Sequence, residues 1–313
     1  MTSRAVTRRA SLVTPSRTMC ELKLCEATEL YNILNATTKF SRLAEPNYLC
    51  LLDARTKREY NEGHIITARR VKKDETDANF LLPESIELDC VRYCVVYDSN
   101  TCSLDGKGPA IECARVMAQA CRLPVMVLKG GYELFSACYH FFRSQKVFWM
   151  PQELDDFKPH PIEIIPSCLY LGDSRQANDL HILKDLKIKG LVNVSMKPLN
   201  ISVETIDVMH IPATDSNDSD LLHFFPSVCS FIDSYMEKSL AALVTSDLGI
   251  SRSSAVLIAY LMHNRKCKLK EAWEQVVKCK TNMRPNRGFV KQLFDWEEIV
   301  LGLQVTDISD PKF

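Results

Sequence analysis

Short, continuously apolar segments alternate with amphipathic ones along most of the chain, and this alternation is the feature that most constrains its fold. In the first half, the apolar segments are 48–54, 93–99 and 125–131, and helical spacing of apolar residues occurs at 110–121 and 132–142. A strand that is apolar on both faces is typical of a parallel sheet covered by helices. We therefore predict an α/β unit over residues 20–150.

The same alternation returns after residues 151–162, which are rich in proline and charge and are typical of an interdomain linker. Beyond it, the predicted strands are 163–172, 190–195, 207–212 and 241–246. The predicted helices are 176–186, 220–237, 252–264, 269–280 and 288–303. We expect a second α/β domain over residues 163–303, followed by a tail at 304–313.

Composition excludes several classes of function. Lysine and arginine together number 39, as do aspartate and glutamate, so the zero net charge provides no global attraction to nucleic acid. No run of eighteen apolar residues exists, and we expect no membrane insertion. The chain carries no dinucleotide-binding, P-loop or nucleophile-elbow motif, and its histidines and cysteines lack the spacing of a metal site. The sequence therefore predicts no cofactor and no metal.

Residues 1–19 form a basic extension that contains four arginines, many hydroxyl groups and no acid. This composition is typical of a mitochondrial transit segment, and a disordered basic tail is the alternative. The 13 cysteines are an odd number and no apolar signal-peptide core precedes them, which indicates reduced thiols. We expect a cytoplasmic or mitochondrial protein, not a secreted one.

Residues 246–253 join the strand at 241–246 to a helix and have the features of a cradle for an oxyanion. A helix N-terminus presents free backbone N–H groups and the positive end of the helix dipole. Gly249 permits a tight turn, Arg252 can bond two phosphate oxygens at once, and Ser253 adds a hydroxyl group. The predicted phosphate-binding residues are Ser246, Asp247, Leu248, Gly249, Ile250, Ser251, Arg252 and Ser253.

This segment resembles the HCxxGxxRS motif of the protein tyrosine phosphatases, and ISRSS at 250–254 resembles their dual-specificity branch. Three other segments resemble that family in the same order: LYLGDSRQA at 169–177, IPATDSNDSDLLHFF at 211–225 and MRPNRGFVKQLFDWE at 283–297. The resemblance implies a sheet with helices on both faces. It also implies that Asp215 occupies the position of the general acid.

Two positions depart from the family pattern. Thr245 stands where the resemblance implies histidine, and Ser246 stands where it implies the nucleophilic cysteine. The catalytic site of Thr245, Ser246 and Asp215 is thus predicted to be degenerate, and the chain is predicted not to be an enzyme. Asp247 can repel a phosphate dianion if its carboxylate points inward. Retained phosphate binding and a fold that neither binds nor catalyses both remain open.

The first half carries LLDARTKREYNEGHIITARRV at 51–71 and KGGYELF at 129–135, which resemble segments of rhodanese-like domains. The resemblance implies a cysteine just after the CVVY strand, where this chain has Asp98. We therefore predict a second domain without catalytic activity.

A rhodanese-like domain followed by a dual-specificity phosphatase domain is the arrangement of the MAP kinase phosphatases, and the whole chain resembles a pseudophosphatase of that group. The resemblance implies phosphoproteins, a related active phosphatase or a MAP kinase as partners. The cluster Arg69, Arg70, Lys72 and Lys73 is a candidate kinase-docking surface, or else a solvated strand end. The alternatives are a weakly active phosphatase with a nucleophile other than cysteine, or a scaffold that uses neither ancestral site.

Overall fold

The computed structural model describes residues 20–38, 40–83, 86–148, 151–154, 157–201, 205–311 and 313. The predicted extension at 1–19 lies outside these residues, so its targeting role stays a prediction. No helix in the described part of the chain is both long and apolar enough to cross a bilayer.

The first domain is built on a five-stranded parallel sheet. Its strands are β1 (Leu22–Cys25), β2 (Leu49–Asp53), β4 (Arg69–Arg70), β5 (Tyr93–Tyr97) and β6 (Val125–Leu128), with β3 (His64–Ile65) and β7 (Arg143–Ser144) forming a separate antiparallel pair. The strand order in the sheet is β1-β6-β5-β2-β4, and every neighbouring pair runs parallel. This confirms the parallel sheet predicted from the apolar runs.

Helices cover both faces of this sheet. They are α1 (Ala27–Asn35), α2 (Lys57–Glu62), α3 (Pro109–Met117) and α4 (Gly131–Cys138). Side chains of a strand alternate between the two faces, so Leu52 and Val96 pack with α3 in one core, whereas Leu51 and Val95 pack with α1 and α4 in another. Both sets are buried, which is why the strands are apolar without interruption.

The second domain contains another five-stranded sheet. Its strands are β8 (Ile162–Ile165), β9 (Leu169–Asp173), β10 (Ile188–Val194), β11 (Asp207–Ile211) and β12 (Ala241–Ser246). The order is β11-β10-β12-β9-β8, and all pairs are parallel except β8 with β9. The strand that leads into the predicted phosphate loop, β12, is therefore central.

Six helices flank this sheet: α5 (Ser174–Ala177), α6 (Leu180–Asp185), α7 (Phe225–Met236), α8 (Arg252–Arg265), α9 (Leu269–Cys279) and α10 (Arg287–Leu301). Residues 252–262 of α8 are all buried, as expected for a core helix surrounded by α7, α9 and α10. Together with α5 and α6 on the other face, these helices confirm the predicted second fold.

Several predicted elements differ from the observed ones. The strand expected at 163–172 is the antiparallel pair β8 and β9, and the helices expected at 110–121 and 132–142 end at Met117 and Cys138. The helix expected at 176–186 is two helices, because the Asp179 carboxylate accepts a hydrogen bond from the His181 N–H and caps a new helix start. The helix expected at 220–237 begins at Phe225, after a 3-10 turn at Leu222–Phe224. Further 3-10 turns lie at Arg42–Ala44, His140–Phe142 and Pro151–Leu154.

Helix α1 of the first domain docks on β8, the edge strand of the second sheet. The Asn32 amide donates to the Glu163 carbonyl and accepts from the Glu163 N–H, both at 2.8 Å. The Tyr31 hydroxyl donates to the Pro161 carbonyl at 2.8 Å. Side-chain amides and hydroxyls thus satisfy the free backbone groups that an edge strand would otherwise leave open.

The Glu163 carboxylate is fully buried at this interface and accepts four hydrogen bonds. Two donors come from the first domain, the Thr28 hydroxyl at 2.6 Å and the Tyr139 hydroxyl at 2.5 Å. Two come from its own domain, the Ser167 N–H at 2.7 Å and the Tyr170 hydroxyl at 3.0 Å. A buried carboxylate needs such saturation, so this contact fixes the two domains relative to each other.

The predicted linker and tail pack against the domains where they are described. The His160 N–H donates to the Asn35 amide oxygen at 2.8 Å, and its ring stacks on Phe141. In the tail, Thr306 is buried and its hydroxyl donates to the Glu297 carboxylate at 2.6 Å. The boundaries themselves stay predictions.

Candidate functional site

The predicted phosphate loop has the strand–turn–helix form that its sequence predicts. Strand β12 ends at Ser246, and α8 begins at Arg252. Gly249 lies at a φ of +67°, and a side chain there would approach the Gly172 carbonyl oxygen of β9 to 2.5 Å. Only glycine fits this close crossing of two backbones.

Ser246 takes part in a network of hydroxyl groups. It is 2% exposed, its Oγ lies 2.9 Å from the Ser253 Oγ, and it accepts a hydrogen bond from the Gly249 N–H at 3.2 Å. The fully buried Thr245 hydroxyl donates to the Val192 carbonyl in the neighbouring strand. Within the described residues, the hydrogen bonds of the Ser246 hydroxyl join it to Ser253 and Gly249, and neither an imidazole nor a carboxylate is among its partners.

Arg252 is held from two sides and is 7% exposed. Its Nη1 donates to the Ala213 carbonyl at 2.9 Å, and its Nη2 donates to the Asp247 carboxylate at 2.6 Å. Its Nε–H is buried without a hydrogen-bond partner in the described structure. The predicted phosphate-binding arginine therefore keeps unused donor capacity.

Asp215 is brought to the loop, as its predicted role requires. Its carboxylate accepts from the Ser251 hydroxyl at 2.6 Å and from the Asn286 side-chain amide at 2.8 Å. The sequence analysis does not assign this role to Asn286. The residue lies in the MRPNRGF segment, and its side-chain oxygen accepts from the Phe289 N–H and caps α10. That cap was the signal available for finding it.

The backbone of the remaining loop residues is held by neighbouring segments. The Leu248 side chain is 72% exposed, and the Ile250 carbonyl accepts from the Arg284 N–H at 2.8 Å. The Asp247 carbonyl accepts from the Ser174 hydroxyl at 3.3 Å. These contacts fix the path of the loop, and binding of phosphate by it stays a prediction.

In the first domain, Asp98 occupies a closed loop. Its carboxylate accepts hydrogen bonds from the backbone N–H groups of Asn100, Thr101 and Ala110, and from the Thr101 hydroxyl at 2.6 Å. Ala110 lies at the start of α3, so the carboxylate occupies the N-terminal end of that helix. These four donors are taken by the Asp98 carboxylate and are not available to a foreign anion.

The basic cluster lies at the free edge of the first sheet. Arg69 and Arg70 form β4, whose one partner strand in the described part of the chain is β2, and Lys72 and Lys73 follow it. Arg69, Lys72 and Lys73 are exposed, and Lys73 lies 4.0 Å from the Asp77 carboxylate. The geometry fits a docking surface and a solvated strand end equally well.

All 13 cysteines are free thiols. Burial raises the pKa of Cys229 to about 12 and that of Cys279 to about 11, which disfavours their reactive thiolate forms. Within the described ranges, no group of three or more His, Cys, Asp or Glu side chains is arranged to hold a metal ion.

Comparison with known families defines the class of each domain. Residues 169–299 match the model of the dual specificity phosphatase catalytic domain. Residues 36–138 match the model of the rhodanese-like domain. Each match covers four strands of its domain's sheet, leaving out β1 in the first domain and β8 in the second, and contains the segments that carry the resemblance.

Individual relatives extend the match over both domains. Human dual specificity protein phosphatase 5 is 36% identical over 264 residues, which cover 76% of this chain and 68% of that protein. Human dual specificity protein phosphatase 1 is 29% identical over 80% of this chain and 78% of that protein. The chain belongs to the dual specificity protein phosphatase family.

Solved structures of single domains are also similar. The crystal structure of human tyrosine phosphatase-like serine/threonine/tyrosine-interacting protein is 28% identical and has a TM-score of 0.42. It covers 44% of this chain, whereas the chain covers 96% of it.

Proposed function

We propose that this member of the family is a catalytically inactive phosphatase that acts as a regulatory binding protein. One observation carries the proposal: Ser246 occupies the nucleophile position without a base, while Arg252 remains nearly buried with a free Nε–H. This combination supports a loss of bond cleavage together with retained anion binding.

The chemistry of residue 246 supports the loss of catalysis. In an electropositive loop, a cysteine thiol has a pKa of roughly 3.5–7.5 and attacks as a thiolate. A serine hydroxyl ionises only far above neutral pH, as water does, so forming an alkoxide at pH 7 costs on the order of 10 kcal/mol. Thr245 cannot accept the proton, and the Asp215 carboxylate faces Ser251 and Asn286 instead.

Binding needs none of this chemistry, because its energy comes from hydrogen bonds to charged oxygens. Such bonds contribute about 1.5–3 kcal/mol each, and Arg252 and the loop N–H groups supply the donors. Phosphorylated proteins are the ligand class that this site suits.

The partner proposals follow the family arrangement. An active phosphatase of the same family, or a MAP kinase that docks on Arg69, Arg70, Lys72 and Lys73, would bring a phosphorylated partner to the loop. We propose that the protein acts inside the cell, in the cytoplasm or in mitochondria.

A second candidate function is a scaffold that uses neither ancestral site. The bond between Asp247 and Arg252 favours it, because the arginine already has an anionic partner. A weakly active phosphatase with an unusual nucleophile is the third reading, and it would require turnover that depends on Ser246.

The test measures binding of phosphotyrosine and phosphothreonine peptides to the full chain by fluorescence anisotropy, beside their unphosphorylated forms. We expect phosphate-dependent binding that Arg252→Met abolishes and that Arg115→Met, an exposed arginine on α3, leaves unchanged. Binding that ignores both the phosphate and Arg252 would support the scaffold. Release of phosphate that depends on Ser246 would support the weak enzyme.

A further inference from the structure

The ion pair between Asp247 and Arg252 joins a nearly buried side chain to a half-exposed one. The Arg252 side chain is 9% exposed, the Asp247 side chain is 47% exposed, and their Nη2 and Oδ2 atoms lie 2.6 Å apart. The carboxylate thus reaches the arginine from the solvent side. This is the side from which a dissolved ligand would also approach.

Only the Asp247 side chain is free to leave this contact. The Asp247 carbonyl is held by the Ser174 hydroxyl, and the Gly249 N–H is held by Ser246. Arg252 is held at Nη1 by the Ala213 carbonyl. Rotation of the Asp247 side chain into solvent would therefore release Nη2 without any change in the loop backbone.

A phosphate group would use more of the site than Asp247 does. The carboxylate takes a single arginine N–H, whereas the buried Nε–H of Arg252 has no partner in the described structure. A phosphate offers three oxygens and can accept from both nitrogens and from loop N–H groups together. A buried N–H without a partner, next to an N–H whose carboxylate partner is exposed and replaceable, is the arrangement expected when one anion exchanges for another.

We propose that Asp247 is an internal counter-ion that competes with phosphate for Arg252, so that every phosphorylated ligand binds by displacing it. This inference rests on the proposed function, because it assumes that the loop binds phosphate. A tethered competitor acts at an effective concentration in the millimolar range, so it lowers the apparent affinity for free phosphate. The loop then responds to phosphate that a docked partner presents locally, and not to dissolved phosphate.

The test titrates the full chain with phenyl phosphate and with inorganic phosphate by isothermal calorimetry, at constant pH and ionic strength. Asp247→Ala removes the competitor, and we expect the affinity to rise roughly tenfold. Asp218→Ala is the matched control, because it removes one exposed carboxylate from the Asp215-bearing loop and changes the net charge equally. We expect it to raise the affinity less than twofold. Thermal unfolding of each variant verifies that the fold is intact.

The double variant Asp247→Ala with Arg252→Met decides whether the gain passes through the arginine. It is compared with Arg252→Met alone, and we expect these two variants to bind phosphate equally weakly. A gain that survives loss of Arg252, or equal gains from Asp247→Ala and Asp218→Ala, would overturn it.

The inference and the proposed function fail in different ways. If the wild type and Asp247→Ala bind phosphate equally and Arg252→Met abolishes binding, the proposal that Asp247 competes with phosphate is wrong. The proposal that the loop binds phosphate is then supported. If folded Asp247→Ala binds neither ligand, phosphate recognition by this loop is wrong as well.

Discussion

The two domains each place a carboxylate in the loop after a central parallel strand, and the two carboxylates are used in different ways. Asp98 is 5% exposed and accepts three backbone N–H groups and a hydroxyl, whereas the half-exposed Asp247 accepts one arginine N–H. The Asp98 carboxylate is enclosed by the hydrogen-bond donors of its loop, whereas the Asp247 carboxylate contacts its site through one bond to Arg252. Under the counter-ion proposal, the second loop can exchange its carboxylate for phosphate, whereas the first cannot, because the Asp98 carboxylate holds several backbone N–H groups.

The largest expected effect is on catalytic rate, and it distinguishes the phosphate loop from the loop that contains Asp98. Replacing Ser246 with cysteine and Thr245 with histidine restores the family residues, and we expect hydrolysis of an aryl phosphate to rise roughly a thousandfold or more above wild type. Release of the phenol, followed spectroscopically, measures the rate. A folded double variant that stays inert would show that the Asp215 loop or the cradle is also incompetent.

The matched change in the first domain is Asp98→Cys. We expect no sulfurtransferase activity with thiosulfate and cyanide, because the loop takes its shape from the bonds to the carboxylate. Sulfurtransferase activity in Asp98→Cys would show that the first loop, like the second, can regain catalysis by substitution, and the difference between the two loops would disappear.

The next largest effect is on stability and concerns Glu163. Its buried carboxylate accepts hydrogen bonds from residues of both domains. We expect Glu163→Ala to lower the free energy of unfolding by about 3–4 kcal/mol, because two tyrosine hydroxyls, a threonine hydroxyl and an N–H lose their acceptor. Urea denaturation measures the loss, and separate unfolding of the two domains would accompany it. Glu163→Gln, which keeps one acceptor oxygen, should lose less.

Asp98→Ala should cost about 2–3 kcal/mol of unfolding free energy, because it leaves backbone N–H groups unpaired at the start of α3. The midpoint of urea denaturation provides the measurement. A change below about 0.5 kcal/mol would mean that water satisfies these groups and that the loop is not closed by Asp98.

The smallest effect on stability is expected at Asp247. Since its ion pair is half-exposed to solvent, Asp247→Ala should change the free energy of unfolding by less than about 1 kcal/mol. The same urea titration, run beside Asp98→Ala, tests the difference. A loss as large as that of Asp98→Ala would show that Asp247 is a structural residue and not a replaceable one.

Much of the fold could be predicted from the sequence. Strands such as 49–53 and 241–246 are apolar on both faces because helices cover both sides of each sheet, and that pattern is local. The strand–glycine–helix form of the phosphate loop is equally local, since Gly249 lies only a few residues before Arg252, the first residue of α8.

The remaining features depend on contacts between distant segments. The bond from Arg252 to Ala213 joins residues 39 apart, and that from Asn286 to Asp215 joins residues 71 apart. The docking of Asn32 on Glu163 joins residues 131 apart, in different domains. No periodicity or motif spacing reports such contacts. The same holds for the direction of the Asp247 side chain, which the sequence left undecided.

The most direct test follows phenyl phosphate mixed with the full-length wild-type chain by ³¹P NMR, because one sample reports binding and turnover together. We expect the phosphate resonance to shift or broaden on binding, Arg252→Met to remove this change, and no inorganic phosphate to appear. Steady release of inorganic phosphate that Ser246→Ala abolishes would contradict this expectation.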